Sequence, residues 1–207
     1  RISSIEPNLL TDEIIAFCAS SPKFQHHFHI PLQSGSDSVL ARMRRRYTTA
    51  KFAERIEAVR RLMPDAFIGI DVIVGFPGET EADFRTTYEF LERLAPAYLH
   101  IFPFSERPGT SAVDFPDKVQ PSVATRRVEE LEKLCRRLHG EFCARAEGTT
   151  DEVLFESTMR GGMMFGYTGN YRRVKAPYDR SRINTICRVR LGRMDDANDL
   201  EGEIVDN

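Results

Sequence analysis

Gln33, Arg45 and Asp71 are the side chains best suited to chemistry: Gln33 ends an apolar run, Arg45 follows soon after it, and Asp71 lies inside another. Gln33 and Ser34 follow "HHFHIPL", and the arginines Arg44, Arg45 and Arg46 come soon after. Asp71 and Ile73 stand in "DVIVGFPGET" just ahead of Gly75, and Phe102, Phe104 and Ser105 close "YLHIFPFS". The opening "RISSIEP" adds Ser3, Ser4 and Glu6. A guanidinium donates two parallel hydrogen bonds and so suits a carboxylate or phosphate. An acid such as Asp71 suits a ribose diol or an ammonium. With apolar and aromatic walls from Ile73 and Phe102, the set describes a pocket for a nucleoside carrying an amino-acid tail. Taken singly, "RRR" reads as a solvated charge run and Gln33 as a helix cap. Their order along the chain is what joins them.

An alternation of strand and helix positions these residues. The apolar run through Asp71 is bounded by Gly and Pro and reads as a parallel strand covered on both faces. Thr80-Glu81-Ala82-Asp83 reads as a capping box opening a helix that presents Phe84, Tyr88 and Leu91. The stretch is therefore a βα turn, and ligands of parallel α/β folds gather at such strand ends. "RISSI", "HHFHIPL" and "YLHIFPF" read as the other strands. Helices are expected after Thr11-Asp12-Glu13, after Ser36-Asp37, and through Phe52, Ile56 and Val59. Four alternations make the class α/β with a parallel sheet, too few to close a barrel but enough for part of one.

Residues 105–121 hold three prolines and a glycine and read as a loop. A helix from about Ser122 to about Glu147 follows, with Val128, Leu131, Cys135, Leu138 and Phe142 on one face. After Gly148 the short pieces "EVLFES", "NYRRVKA", "TICRVRL" and "EGEIV" predict a small all-β barrel, which divides the chain into 1–147 and 148–207.

Composition excludes several classes. With 41% hydrophobic and 29% charged residues in 207, the chain is not disordered and is long enough for one large or two modest domains. No apolar run approaches membrane-spanning length and no signal peptide is visible, which predicts a cytoplasmic protein without a membrane partner. Cys18, Cys135, Cys143 and Cys187 have no ligand spacing, so free thiols fit better than disulfides or a metal site. The net charge of −2 makes no case for nucleic acid, yet it conceals a basic segment. From Arg160 to Arg193 the single acid, Asp179, faces a run of arginines and Lys175. Arg160, Tyr167, Asn170, Tyr171, Arg172, Arg173, Lys175, Arg188 and Arg190 form the expected RNA-binding set, phosphate-tracking cations with interleaved aromatics. Against this, Tyr167 and Tyr171 each read singly as core, and the cations have "DDANDLEGE" available as partners.

In this order, "RISSIEP", "HIPLQSGSDSVLARMRRRYT", "DVIVGFPGET" and "HIFPFSERPGTSA" resemble the radical S-adenosylmethionine methylthiotransferases. "FGYTGNYRRVKAP" followed by "LEGEIV" is similar to the TRAM domain that ends those enzymes. The resemblance implies an α/β fold, the last four βα units of a radical-SAM barrel, followed by the TRAM barrel. It implies S-adenosylmethionine as cofactor, with Ser4, Gln33, Ser34, Arg45, Asp71, Ile73 and Phe102 as binding residues; Arg45 matches the arginine that grips the methionyl carboxylate. It implies tRNA as partner and transfer of a methylthio group to C2 of N6-threonylcarbamoyladenosine at position 37. "RISSIEP" and "FGYTGNY" are most similar to that branch, with the isopentenyladenosine and ribosomal-protein branches as alternatives. The family's CxxxCxxC loop and its second set of three cysteines, which hold two 4Fe–4S clusters, have no counterpart in these residues. The expectation is thus a carboxyl-terminal portion, inactive alone, with no catalytic or metal-ligating residue of its own. An exposed sheet edge at "RISSI", prone to homodimerisation, goes with it. A stand-alone RNA-binding module is the alternative of a different class.

Overall fold

A computed structural model describes residues 1–205. The chain forms two compact units, Arg1–Leu138 and His139–Asn207.

In the first unit, strands β1 (His27–His29), β2 (Phe67–Val74) and β3 (Tyr98–Pro103) form a parallel sheet in the order β1-β2-β3. Around it lie helices α1 (Asp12–Ser20), α2 (Asp37–Arg42), α3 (Thr49–Leu62) and α4 (Glu81–Leu94) and the first part of α5 (Pro121–Ala144). The side chains of β2 alternate between faces. Ile68, Ile70, Val72 and Val74 are buried in one core with Phe52, Ile56, Phe84 and Leu91. Gly69, Asp71 and Ile73 point the other way, and the latter two are half-buried. The expectation of a strand covered equally on both faces is therefore corrected. An acid sits within this apolar strand because its face is not the packed one.

"RISSI" is not a strand. It reduces to an isolated bridge between Ile2 and Phe28, with Ile2 N donating to His27 O (3.2 Å) and His29 N to Ile2 O (3.1 Å). β1 is equally short, because Pro31 cannot donate to a ladder. The chain rejoins the sheet at Gln33, whose N–H donates to Asp71 O (2.8 Å) and whose carbonyl accepts from Ile73 N (2.9 Å).

The turn after β2 is built as its residue types demand. Gly75 and Gly78 have φ of 78° and 79°. A Cβ on Gly78 would fall 1.3 Å from Arg42 Nη1, which instead donates to Pro77 O (3.0 Å). The capping box is present: Thr80 Oγ1 accepts from Asp83 N and the Asp83 carboxylate accepts from Thr80 N. Glu79, buried, accepts from Gly75 N and from Arg127 Nη1 (2.7 Å) of α5, tying the turn to that helix.

The second unit is a closed barrel of β4 (Thr150–Arg160), β5 (Met163–Thr168), β6 (Arg173–Pro177), β7 (Ile186–Met194) and β8 (Leu200–Ile204), in the order β4-β5-β6-β8-β7. Val153, Phe155, Met164, Val174, Val189, Leu191 and Leu200 fill it. β5 escaped the sequence reading. It joins β4 through Gly161 and Gly162, both at positive φ. The unit begins within α5, ahead of the composition change at Gly148, because Phe142 is buried beneath Arg172 and Ala146 joins the barrel core. Among the described residues no helix is long and apolar enough to cross a membrane.

Candidate functional site

The carboxyl ends of β2 and β3 open into a cavity of 520 Å³, within the range of small-molecule pockets. Of the seven residues expected to contact a cofactor, Gln33, Arg45, Asp71, Ile73 and Phe102 line it. Gln33 holds a left-handed backbone (φ 73°), sparsely populated for a residue with a side chain, and the bonds to Asp71 and Ile73 enforce it. Tyr47 supports the approach to Gln33: its buried hydroxyl lies 3.0 Å from Pro31 O and 3.1 Å from Leu32 O. Burial pushes that phenol's pKa up to about 12.

Arg45 is half-buried. Its Nη1 lies 3.4 Å from Glu6 Oε1, and its Nε is buried without a hydrogen-bond partner among the described residues. A buried guanidinium nitrogen left unpaired is costly, and cavity-lining donors of this kind are completed by ligand or solvent. Asp71 Oδ1 lies 2.6 Å from His29 Nε2, which fixes the carboxylate's orientation. His100 packs against His29 (ring centroids 4.8 Å), and its pKa is lowered by burial first and by His29 second.

Two expected residues are not there. Ser34 is fully buried, with its Oγ 3.3 Å from Thr87 Oγ1 of α4 and accepting from Ser36 N. Gly35 lets α4 come this close, since a Cβ there would lie 2.7 Å from the Thr87 Cα. Ser34 therefore fastens the turn and does not face the cavity. Ser4 is exposed and off the cavity lining; Glu6, two residues on, reaches Arg45 instead. The sequence reading missed Arg107 and Thr110, which enter the lining from the loop after β3. The only signal was a polar "SERPGT" following a strand.

The four cysteines are all buried, and burial raises the pKa of Cys135 and, to about 11, that of Cys143. Among the described residues no three of these thiols converge, as an iron–sulfur ligand set requires.

On the barrel, the expected RNA set divides. Arg160, Arg188 and Arg190 are exposed and stand outside the ion pairs seen among the described residues of the barrel. Arg173 is clamped by Asp199 (2.7 and 2.8 Å) and Lys175 by Asp195 (2.7 Å), so the acidic stretch does hold part of the basic segment. Arg172 is buried, its guanidinium 4.2 Å from the Phe142 ring centroid and its Nε donating to Phe142 O. Asn170 is buried too, its Oδ1 accepting from Thr168 Oγ1 (2.7 Å). Neither presents itself to a nucleic-acid strand. The tyrosines correct the sequence reading the other way: Tyr167 is half-buried on the outer face of β5, and it stacks on exposed Tyr171 at 4.7 Å. Tyr167 pairs in register with Leu154, and Leu154 with Ile186, both exposed apolar residues.

Residues 2–91 match the radical SAM superfamily. The threonylcarbamoyladenosine tRNA methylthiotransferase of Bacillus subtilis is 40% identical over 195 residues, 92% of this chain and 43% of that protein. The tRNA-2-methylthio-N(6)-dimethylallyladenosine synthase of Geobacter sulfurreducens is 39% identical over 206 residues, 99% of this chain and 46% of that protein. The chain thus spans about half the length of these curated relatives. Among solved structures, coproporphyrinogen III oxidase (HemN) from Escherichia coli, described as a radical SAM enzyme, matches with a TM-score of 0.57 at 13% identity. That match covers 91% of this chain and 45% of that one, and it speaks to fold alone. Residues 2–91 are thus similar to the radical SAM superfamily, and the chain is similar over most of its length to tRNA methylthiotransferases.

Proposed function

We propose that this chain supplies the cofactor pocket and an RNA-binding TRAM barrel to a methylthiotransferase acting on C2 of N6-threonylcarbamoyladenosine at position 37 of tRNA. The observation that carries the reading is Arg45, half-buried in the wall of a cavity it shares with Asp71, with a buried, unpaired Nε. A carboxylate completes that guanidinium's hydrogen bonds, while Asp71 and Gln33 suit a ribose diol or an ammonium. Ile73 and Phe102 provide the apolar wall an adenine needs. These residues fit S-adenosylmethionine, which together with an iron–sulfur cluster supplies radical chemistry when bound. The chain's own part is to hold the methionyl carboxylate at Arg45, orient the ribose at Asp71 and Gln33, and exclude water along Ile73 and Phe102. Its cysteines do not fit a cluster, so these residues alone do not carry out the reaction.

On the barrel, exposed Arg188 and Arg190 follow Ile186 along β7, to one side of the outward row Ile186, Leu154 and Tyr167, with Glu152 and Glu203 opposite them in register. Cations beside stacking surface is the arrangement single-stranded RNA requires. The choice of the threonylcarbamoyl branch rests on "RISSIEP" and "FGYTGNY", since the two relatives differ by only one point in identity. The test is a chimera joining this chain to the part of the Bacillus relative that it does not cover. Under reducing conditions it should release 5′-deoxyadenosine from S-adenosylmethionine. A folded, cluster-loaded chimera that releases none contradicts the pocket assignment.

A further inference from the structure

We propose that His29, Asp71 and His100 form a binding site for a divalent transition-metal ion of the zinc type. The inference shares Asp71 with the proposed cofactor pocket, and its test, read on metal binding alone, does not depend on that reading. The three residues come from three adjacent parallel strands and lie on the sheet face that β2 turns away from the packed core. In register, His100 stands opposite Asp71 and His29 opposite Gly69. Gly69 carries no side chain on this face, and the centroids of the two imidazoles lie 4.8 Å apart; a Cβ at Gly69 would make only an ordinary contact with His100 Nε2, at 3.6 Å.

One ligand atom from each residue lies within 4.8 Å of the other two. Zinc bonds imidazole nitrogen and carboxylate oxygen at about 2.0–2.2 Å, so tetrahedral ligand atoms stand roughly 3.3–3.5 Å apart. The His29–Asp71 contact of 2.6 Å must open slightly, and the widest separation must close. Side-chain torsions suffice for both, because all three side chains are only half-buried. His29 then presents the Nε2 lone pair, with its proton carried on Nδ1, and the ion replaces the proton now shared with Asp71. Two imidazoles and one carboxylate favour zinc, cobalt, nickel or copper over magnesium or calcium, which prefer oxygen ligands. Three protein ligands leave a fourth position open, the pattern of zinc sites that bind an exchangeable molecule.

The test uses the 207-residue chain freed of metal. It is titrated with Zn²⁺ against a chromophoric chelator, and separately with Co²⁺ followed by visible absorption. One ion per chain is expected. His29→Ala and His100→Ala should each weaken binding by at least about tenfold, and His26→Ala should leave it unchanged. No binding up to about 100 μM, a free energy weaker than roughly 5.5 kcal/mol, overturns the proposal, as does binding that survives both substitutions. If a variant fails to fold by circular dichroism, the cobalt spectrum of the unaltered chain decides. Nitrogen and oxygen ligation supports the site, and a thiolate-to-metal band, which would place the ion on a cysteine, overturns it.

Discussion

Replacing Arg45 with alanine removes one guanidinium from the cavity wall and little else. The side chain is half-buried, and its side-chain partner among the described residues, Glu6, sits 3.4 Å away and is itself partly exposed, so the lost ion pair costs little folding stability. A charge-assisted hydrogen bond to a carboxylate contributes about 1.5–3 kcal/mol. If Arg45 holds the methionyl carboxylate, its loss raises the apparent S-adenosylmethionine requirement by roughly ten- to 150-fold. Arg46 is the control because it is exposed and lines no part of the cavity. Arg44 serves less well, since its own backbone stands at φ 57° and a substitution there also perturbs the turn. Arg45→Lys should recover only part of the loss, for an ammonium lacks the two-pronged geometry. The assay is the cofactor dependence of 5′-deoxyadenosine release in the chimera. Equal effects of Arg45→Ala and Arg46→Ala, or less than a twofold effect of the former, refute the reasoning.

Three further outcomes are expected. Burial pushes the Asp83 carboxyl up, but hydrogen bonds from Ser38, Thr80 and Ser36 outweigh it and hold its pKa well below the usual carboxylate range. The stability it contributes is therefore present above the unfolded value, about 3.9, and is lost as pH falls below it; Asp83→Asn should lower the urea midpoint at pH 7 and show a smaller deficit at pH 3. On the barrel, Arg188→Ala and Arg190→Ala should each flatten the dependence of log tRNA affinity on log salt by about one contact, roughly 0.7–0.9 of slope. Arg172→Ala should lower the melting temperature instead, its guanidinium being buried on Phe142; equal salt slopes for all three variants would contradict the division. At the sheet edge, residues 1–5 are held by three backbone hydrogen bonds to His27 and His29, so their amides should exchange faster than those of β2. We expect edge-to-edge dimers by light scattering, and a monomer with slow exchange at Ile2 and Ile5 contradicts this.

Local patterns were legible wherever one residue type has one physical use. The glycines of the turn, the Thr80–Asp83 capping box and the face of α5 from Leu131 to Phe142 are all where the sequence placed them. Legibility ended where neighbours distant in sequence decide a side chain's surroundings. Nothing local says that Gly35 lets α4 press close enough to seal Ser34 away. A count of arginines cannot separate exposed Arg188 from Arg172, whose burial depends on Phe142, thirty residues earlier. The His29–Asp71 pair likewise needs the strand register, as its members lie 42 residues apart. β5 was missed because "MMFGYT" alternates only weakly in polarity, its inward positions including Gly166 and Thr168.

The most direct test of the central claim is nucleoside analysis of tRNA treated with the chimera, S-adenosylmethionine, a sulfur source and a reductant. Two substrates are offered together, one bearing N6-threonylcarbamoyladenosine and one bearing N6-dimethylallyladenosine. Mass spectrometry of the digested tRNA should show a methylthio group on the threonylcarbamoyl nucleoside and not on the other. Methylthiolation confined to the dimethylallyl nucleoside would contradict the assigned substrate, and cofactor cleavage with neither tRNA modified would contradict the assigned reaction.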